Sequence, residues 1–165
     1  SAWVQSHAGL VKAVGTVLDL AAGSGRHARF FKDLGCQVTA LDRDTASLQD
    51  LEVEIVAADL EDGSPWPLGA RTFDGIVVTN YLHRPLFPHL AGALAPGGVL
   101  IYETFGVGNE RFGRPSNPDF LLRPGELLEF AAAHGLQVLA YACGEVAEPK
   151  RAVKQRMVAQ RLASM

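Results

Sequence analysis

Short β-branched runs that alternate with helical patterns constrain this chain more than any other feature. The runs are Thr16–Leu20, Val38–Leu41, Glu54–Asp59, Phe73–Thr79 and Gly98–Glu103. Between them, Arg26 to Leu34 places Ala28, Phe31 and Leu34 at helical spacing, and Gly35 stands where a C-terminal cap belongs. Asp44 or Thr45 can cap a short helix carrying Leu48 and Leu51. Pro85 to Leu94 reads as a helix with its prolines in the first turn. A first helix is expected over Ala2–Val14 and a last one over Glu126–His134, stopped by Gly135. Strands alternating with helices predict βαβ units, right-handed crossovers and a mainly parallel sheet. Leu136–Ala142 and Val153–Leu162 have no helix between them and are expected to pair as an antiparallel hairpin.

The expected fold is therefore α/β, a doubly wound Rossmann-like sheet of seven strands, mostly parallel, with a C-terminal antiparallel hairpin. At 165 residues one domain is expected. It divides into an N-terminal helix (1–15), a cofactor-binding core (16–105), a substrate-side loop (106–123) and a C-terminal helix and hairpin (124–165). With 48% hydrophobic and 20% charged residues, a packed core is affordable and disorder is excluded. The net charge of −3 argues against general nucleic-acid affinity. Two cysteines predict a reducing, cytoplasmic setting without a disulfide scaffold. No apolar stretch suits a membrane span and no signal peptide is visible; Ser1 stands where an initiator Met is expected, as in a trimmed start.

Gly23-Ser-Gly25 lies between a strand and a helix, where side-chain-free backbone can turn tightly and admit a ligand to the helix start. Gly23-x-Gly25-x-x-Ala28 also satisfies the dinucleotide fingerprint, so a nicotinamide-binding Rossmann domain is one reading. Three carboxylates point elsewhere. Asp19, four residues before Gly23, would repel a pyrophosphate but suits a ligand with ammonium and sulfonium charge. Asp42 ends the second strand, where it can accept from both ribose hydroxyls of either cofactor. Asp59 ends the third and, with Leu60, can meet an adenine.

Val17-Leu-Asp-Leu-Ala-Ala-Gly-Ser-Gly25, Leu41-Asp42, Ala58-Asp59-Leu60, Phe73-Asp-Gly-Ile-Val-Val and Leu94-Ala-Pro-Gly-Gly-Val-Leu-Ile resemble, in order, the motifs of class I S-adenosylmethionine-dependent methyltransferases. Small size and the run Asn80–Thr104 are similar to compact bacterial tellurite-resistance-type enzymes. The resemblance implies S-adenosylmethionine as cofactor and S-adenosylhomocysteine as product. Asp19, Ala21, Gly23 and Gly25 would border its methionine half, Asp42 the ribose, and Asp59 and Leu60 the adenine. The Thr79–Asn80 backbone would lie beside the methionine moiety. Ala21 replaces the usual first glycine, and the N-terminal segment is shorter than the family's, so the resemblance implies that part of a substrate lid is to be expected outside this chain or from another.

The methyl acceptor is expected between the first and fourth strands, near Asn80 to His83. His83 reads either as a general base or as a structural partner of the next helix, and Tyr81 as pocket lining or sheet cover. Arg84, Arg111 and Arg114 suit an anionic acceptor, and Glu103 can touch substrate or pair with a loop arginine. Trp66 can cover the adenine or pack, and Arg26 and His27 can touch the cofactor carboxylate or solvent. Lys150, Arg151, Lys154, Arg156 and Arg161 read as solubilising charges on an edge hairpin. Histidine and cysteine spacings offer no metal site, and a G-x-S-x-G elbow is absent. The expected partner is a small, anionic or soft acceptor and not a macromolecule or membrane. A cofactor-binding subunit without turnover of its own is the remaining alternative.

Overall fold

In β1 (Thr16–Leu20) Val17, Leu18, Asp19 and Leu20 are all buried, which requires a sheet covered on both faces. The computed structural model describes residues 1–163. Successive strand residues feed two cores: Leu18, Ile76, Leu100 and Tyr102 on one face, Val17, Val77, Val99 and Ile101 on the other. Helices α1 (Ala2–His7) and α2 (Arg26–Asp33) add Val4, Ala28 and Phe31 to the second core. Helices α3 (Phe87–Gly92) and α4 (Glu126–Ala133) add Leu90, Leu127 and Phe130 to the first.

The remaining strands are β2 (Gln37–Asp42), β3 (Glu54–Ala57), β4 (Phe73–Thr79), β5 (Leu94–Phe105), β6 (Leu136–Val146) and β7 (Ala152–Arg161). They form a seven-stranded sheet ordered β3-β2-β1-β4-β5-β7-β6. Pairing is parallel from β3 to β5 and antiparallel for β5–β7 and β7–β6. The doubly wound sheet and terminal hairpin match the expectation, and the order reverses between β1 and β4. No helix among the described residues is long and apolar enough to cross a membrane.

Several local expectations are corrected. The α-helix stops at His7, not Val14; a 3₁₀ turn over Ala8–Leu10 follows, and the chain extends from Val11, which packs on Gly75, where any Cβ would come within 2.9 Å of Val11 Cγ1. Leu34, placed at helical spacing with Ala28 and Phe31, is exposed, as is Val14. Leu48 and Leu51 sit on a 3₁₀ segment, and β3 ends at Ala57 rather than Asp59. Leu94 opens β5 instead of closing α3, because a register shift between Phe73 and Gly75 absorbs the Ala95–Gly98 bulge. Gly98 is obligatory there: a Cβ would lie 2.8 Å from the Ala95 and Phe73 carbonyls. The basic C-terminal strand is not an edge. β7 lies between β5 and β6, and Lys154 is buried.

Arg84 is corrected as well. Its guanidinium pairs with Glu126 at 2.6 and 2.9 Å and donates to the carbonyls of Asp119 and Leu121 at 3.1 and 2.9 Å. Its charge is spent on pinning the 106–123 loop to α4, not on substrate. Burial alone would raise the Glu126 carboxyl, but Arg84 and the Arg123 N–H outweigh it and hold the carboxyl below its usual value. Arg84→Met would strand a buried carboxylate and should cost about 2–3 kcal/mol, less than a fully buried pair because Arg84 is partly exposed. Urea unfolding measures this; a loss below about 0.5 kcal/mol would contradict the assignment.

Candidate active site

The loop leaving β1 is left-handed at Ala21 (φ +57°), Gly23 (+58°) and Gly25 (+83°). Gly25 has no room for a side chain, since a Cβ would lie 2.4 Å from Leu51 Cδ1; Gly23 faces open space. Ala21 keeps the conformation of the glycine it replaces at a cost of about 1–2 kcal/mol. The loop is tied sideways. Ala22 N–H donates to the Leu41 carbonyl at 2.9 Å, and Gly23 N–H to Asp42 Oδ2 at 2.8 Å. Asp42 Oδ1 accepts from Asp44 N–H at 3.1 Å, and Ala58 N–H donates to the Asp42 carbonyl at 3.1 Å. The ends of β1, β2 and β3 thereby form one wall.

Against that wall lies an open cleft of about 170 Å³. Ala21, Asp42, Asp59 and Leu60 line it together with Tyr81, which the sequence reading placed at the acceptor, and with two residues that reading passed over, Arg43 and Glu61. Asp59 Oδ1 accepts from Glu61 N–H at 2.9 Å, which shapes the turn.

Beneath the glycine loop Asp19 is buried, and its Oδ2 has no hydrogen-bond partner. Burial pushes its carboxyl up to about 7, against a backbone hydrogen bond from Ala28 that favours the charge. His27 is buried beside the loop, with Nδ1 3.4 Å from Thr79 Oγ1, and burial lowers it to about 4. It is therefore neutral near pH 7, while Arg26 is exposed. The local environment disfavours an uncompensated negative charge at Asp19 and would welcome a cation.

Across the reversal in strand order, Asn80 leaves β4 left-handed (φ +54°), its N–H bonded to the Glu103 carbonyl at 2.8 Å. A second cleft opens here, lined by Glu61, Asn80, Tyr81, Leu82, Thr104, Phe105, Pro115 and Phe120. The Tyr81 hydroxyl donates to Glu61 Oε2 at 3.0 Å, and the buried Tyr102 hydroxyl holds the Tyr81 carbonyl at 2.8 Å. Burial, then Glu61, raises the Tyr81 hydroxyl well above its ordinary value, so it stays protonated. His83 faces elsewhere. It lines a third cleft with His89 and Trp66, whose rings stack at 5.2 Å, and its Nδ1 lies 3.6 Å from Glu61, too far for a hydrogen bond.

The other expected substrate residues divide. Glu103 pairs with Lys154 at 3.4 Å, not with a loop arginine, and accepts from Ser1 Oγ at 3.1 Å. Arg111 bonds the Gly108 carbonyl and lies 3.4 Å from Glu145, over the Phe112 ring. Arg114 is exposed. Lys154 is the residue the sequence reading placed worst: its Nζ donates to Asn80 Oδ1 at 3.2 Å, beside the second cleft. Among the described residues no group of three or more His, Cys, Asp or Glu could hold a metal ion.

A family model described as a methyltransferase domain matches residues 17–98. Those residues match a methyltransferase domain, and the fold is that of the class I S-adenosylmethionine-dependent methyltransferases. The match is to a methyltransferase domain and not to a nicotinamide-binding one, which favours the S-adenosylmethionine reading of the glycine loop. A protein-L-isoaspartate O-methyltransferase from Rhodopseudomonas palustris is 38% identical over 92 residues, 52% of this chain and 42% of that protein. The methyltransferase thus spans less than half of that relative's length. An S-adenosylmethionine-dependent methyltransferase structure from Methanosarcina mazei superposes with a TM-score of 0.73 at 14% identity, covering 95% of this chain and 97% of that one. The 1,6-didemethyltoxoflavin-N1-methyltransferase of Burkholderia thailandensis, solved with that compound and S-adenosylhomocysteine, superposes at 0.68 with 22% identity, covering 98% and 76%. At these identities the structural likeness is one of fold.

The residues present fit a cationic cofactor: a buried orphan carboxylate oxygen, an open glycine and a carboxylate-lined cleft adjoin one another. The Asp19 carboxyl also makes a pH-dependent stability prediction. Unfolded, it titrates near its usual value of about 3.9; folded, near 7. Between those limits the native state binds the extra proton, so this residue's contribution falls as pH rises, and the cost is complete above 7. Asp19→Asn should therefore stabilise the cofactor-free methyltransferase at pH 8 by about 2–4 kcal/mol and leave it near wild type at pH 4. Urea midpoints at the two pH values measure this; a gain independent of pH would refute it.

Proposed function

We propose that this methyltransferase moves a methyl group from S-adenosylmethionine to a small-molecule acceptor by in-line transfer. The observation that carries the reading is the pair of clefts at the β1–β4 reversal that share Tyr81 and Glu61. The first would take the cofactor. Asp42, with lone pairs left after Gly23 and Asp44, accepts from the ribose hydroxyls, and Asp59 and Leu60 meet the adenine. Ala21, Gly23 and Gly25 border the methionine half beside Thr79 and Asn80, and Asp19 Oδ2 answers its ammonium charge.

The second cleft would take the acceptor. Leu82, Phe105, Pro115 and Phe120 give it apolar walls, and its volume of about 350 Å³ suits a small molecule. The cofactor, when bound, supplies a methyl group already activated by its sulfonium. The chain aligns the acceptor and excludes water, which is worth about 7–11 kcal/mol in favourable cases. Tyr81, held protonated by burial and with its one O–H given to Glu61, acts here as a fixed wall rather than a base.

Asp42→Ala should weaken S-adenosylhomocysteine binding by about 1–3 kcal/mol in calorimetry, and unchanged affinity would remove Asp42 from the site. Function is tested by S-adenosylhomocysteine release from the purified chain alone over small phenols, carboxylates, heterocyclic amines and thiols. An isoaspartyl peptide joins the panel because the Rhodopseudomonas relative's name assigns it that substrate. Turnover of small acceptors supports the proposal and excludes a silent subunit. Turnover confined to the peptide refutes the small-acceptor class.

A further inference from the structure

Lys154 carries a charge into the sheet interior, where apolar side chains would fill the space without desolvation cost. Its Nζ lies 3.4 Å from Glu103 Oε1, both side chains being 10% exposed, and 3.2 Å from Asn80 Oδ1. It also lies 4.9 Å from the centre of the Phe105 ring. Asn80 and Phe105 both line the acceptor cleft, so the lysine supports that wall from behind.

A lysine ammonium has three donors and no acceptor. Facing it, the Asn80 carboxamide must present its oxygen; the flipped amide would set N–H against N–H. Because oxygen and nitrogen sit on opposite sides of the amide carbon, the two Asn80 N–H donors are turned away from Lys154. We infer that Lys154 is a positioning residue that turns the Asn80 N–H donors toward the acceptor cleft, selecting an acceptor whose reacting atom is an ionised oxygen, a carboxylate or phenolate. This rests on the second cleft being the acceptor site. An ammonium-bearing acceptor would meet donors with donors. For an ionised oxygen the step balances without a base: an oxygen lone pair forms the O–CH₃ bond, the S–CH₃ bond breaks, and its electron pair stays on sulfur. The anion becomes a neutral ester or ether, the sulfonium becomes a thioether, and no proton has to leave.

The test titrates benzoate and benzylamine, matched in ring and opposite in charge, into protein saturated with S-adenosylhomocysteine. The wild type should favour benzoate at least about tenfold. Lys154→Met, which frees the amide to rotate, should reduce the preference to within about twofold, and Lys154→Arg, which keeps the donors, should restore it. Asn80→Asp supplies a second route, because replacing the donors by a carboxylate should reverse the preference. A wild type that takes benzoate no better than benzylamine, or not at all, overturns the inference, as does a preference that survives in Lys154→Met. S-Adenosylhomocysteine titrated alone into each sample reports cofactor binding separately, so failure of the cofactor site and failure of this selection are told apart.

Discussion

The pairing of β1 with β4 is the constraint on which the rest of the site depends. These strands run parallel and adjacent, with Asp19 opposite Val77 and Leu20 opposite Val78, yet the chain leaves them toward opposite sides of the sheet. Their following loops must therefore diverge, and the gap between them becomes the crevice. Both departures are left-handed at non-glycine residues, Ala21 and Asn80. Such conformations persist only where the surroundings over-determine them. Here the determinants are backbone bonds from Ala22 and Asn80 to neighbouring strands, made at carbonyls of Leu41 and Glu103. The ladder that stabilises the fold also aims the two walls of the site.

Electrostatics follows from that placement. A carboxyl in β1 cannot reach solvent because both faces of the sheet are covered, so Asp19 is held near pH 7 with an oxygen unmatched. The cofactor-free protein bears a cost that a cationic ligand offsets. Part of the binding free energy is thus prepared during folding, and stability and affinity oppose each other at one side chain. Lys154 is a contrasting case: its buried charge is already matched by Glu103, so its effect is on orientation more than on net charge.

How much of this was legible in the sequence depends on the range of the interactions involved. The positions of the glycine loop, Asp19 and Asp42 were readable because β1 and β2 place them, and backbone conformation there is a property of a few consecutive residues; Asp59 falls two residues past the end of β3. Arg84 was not, since its partner Glu126 is 42 positions away and a guanidinium near a cleft looks the same whether free or paired. Lys154 was misread because a basic residue near a C-terminal hairpin suggests an edge, whereas the insertion of β7 between β5 and β6 is a matter of strand order. Glu61 was overlooked in an acidic, proline-bearing connection that reads as solvated surface. The first-helix error has a similar origin: Val11 is drawn out of helical register by Gly75, a contact that no local pattern announces.

Glu61 shows why the clefts should be considered together. It lines all three, accepts from the Tyr81 hydroxyl, and lies 3.6 Å from His83. Tyr81 in turn borders both the first and second clefts and is fixed from below by the Tyr102 hydroxyl. A side chain that forms part of two walls cannot move for one ligand without changing the space offered to the other. Because Tyr102 anchors the Tyr81 backbone, that freedom is confined to the ring and to the half-exposed Glu61 carboxylate. The Tyr81–Glu61 hydrogen bond thus lies at the seam where the two clefts meet, and one contact shapes both spaces.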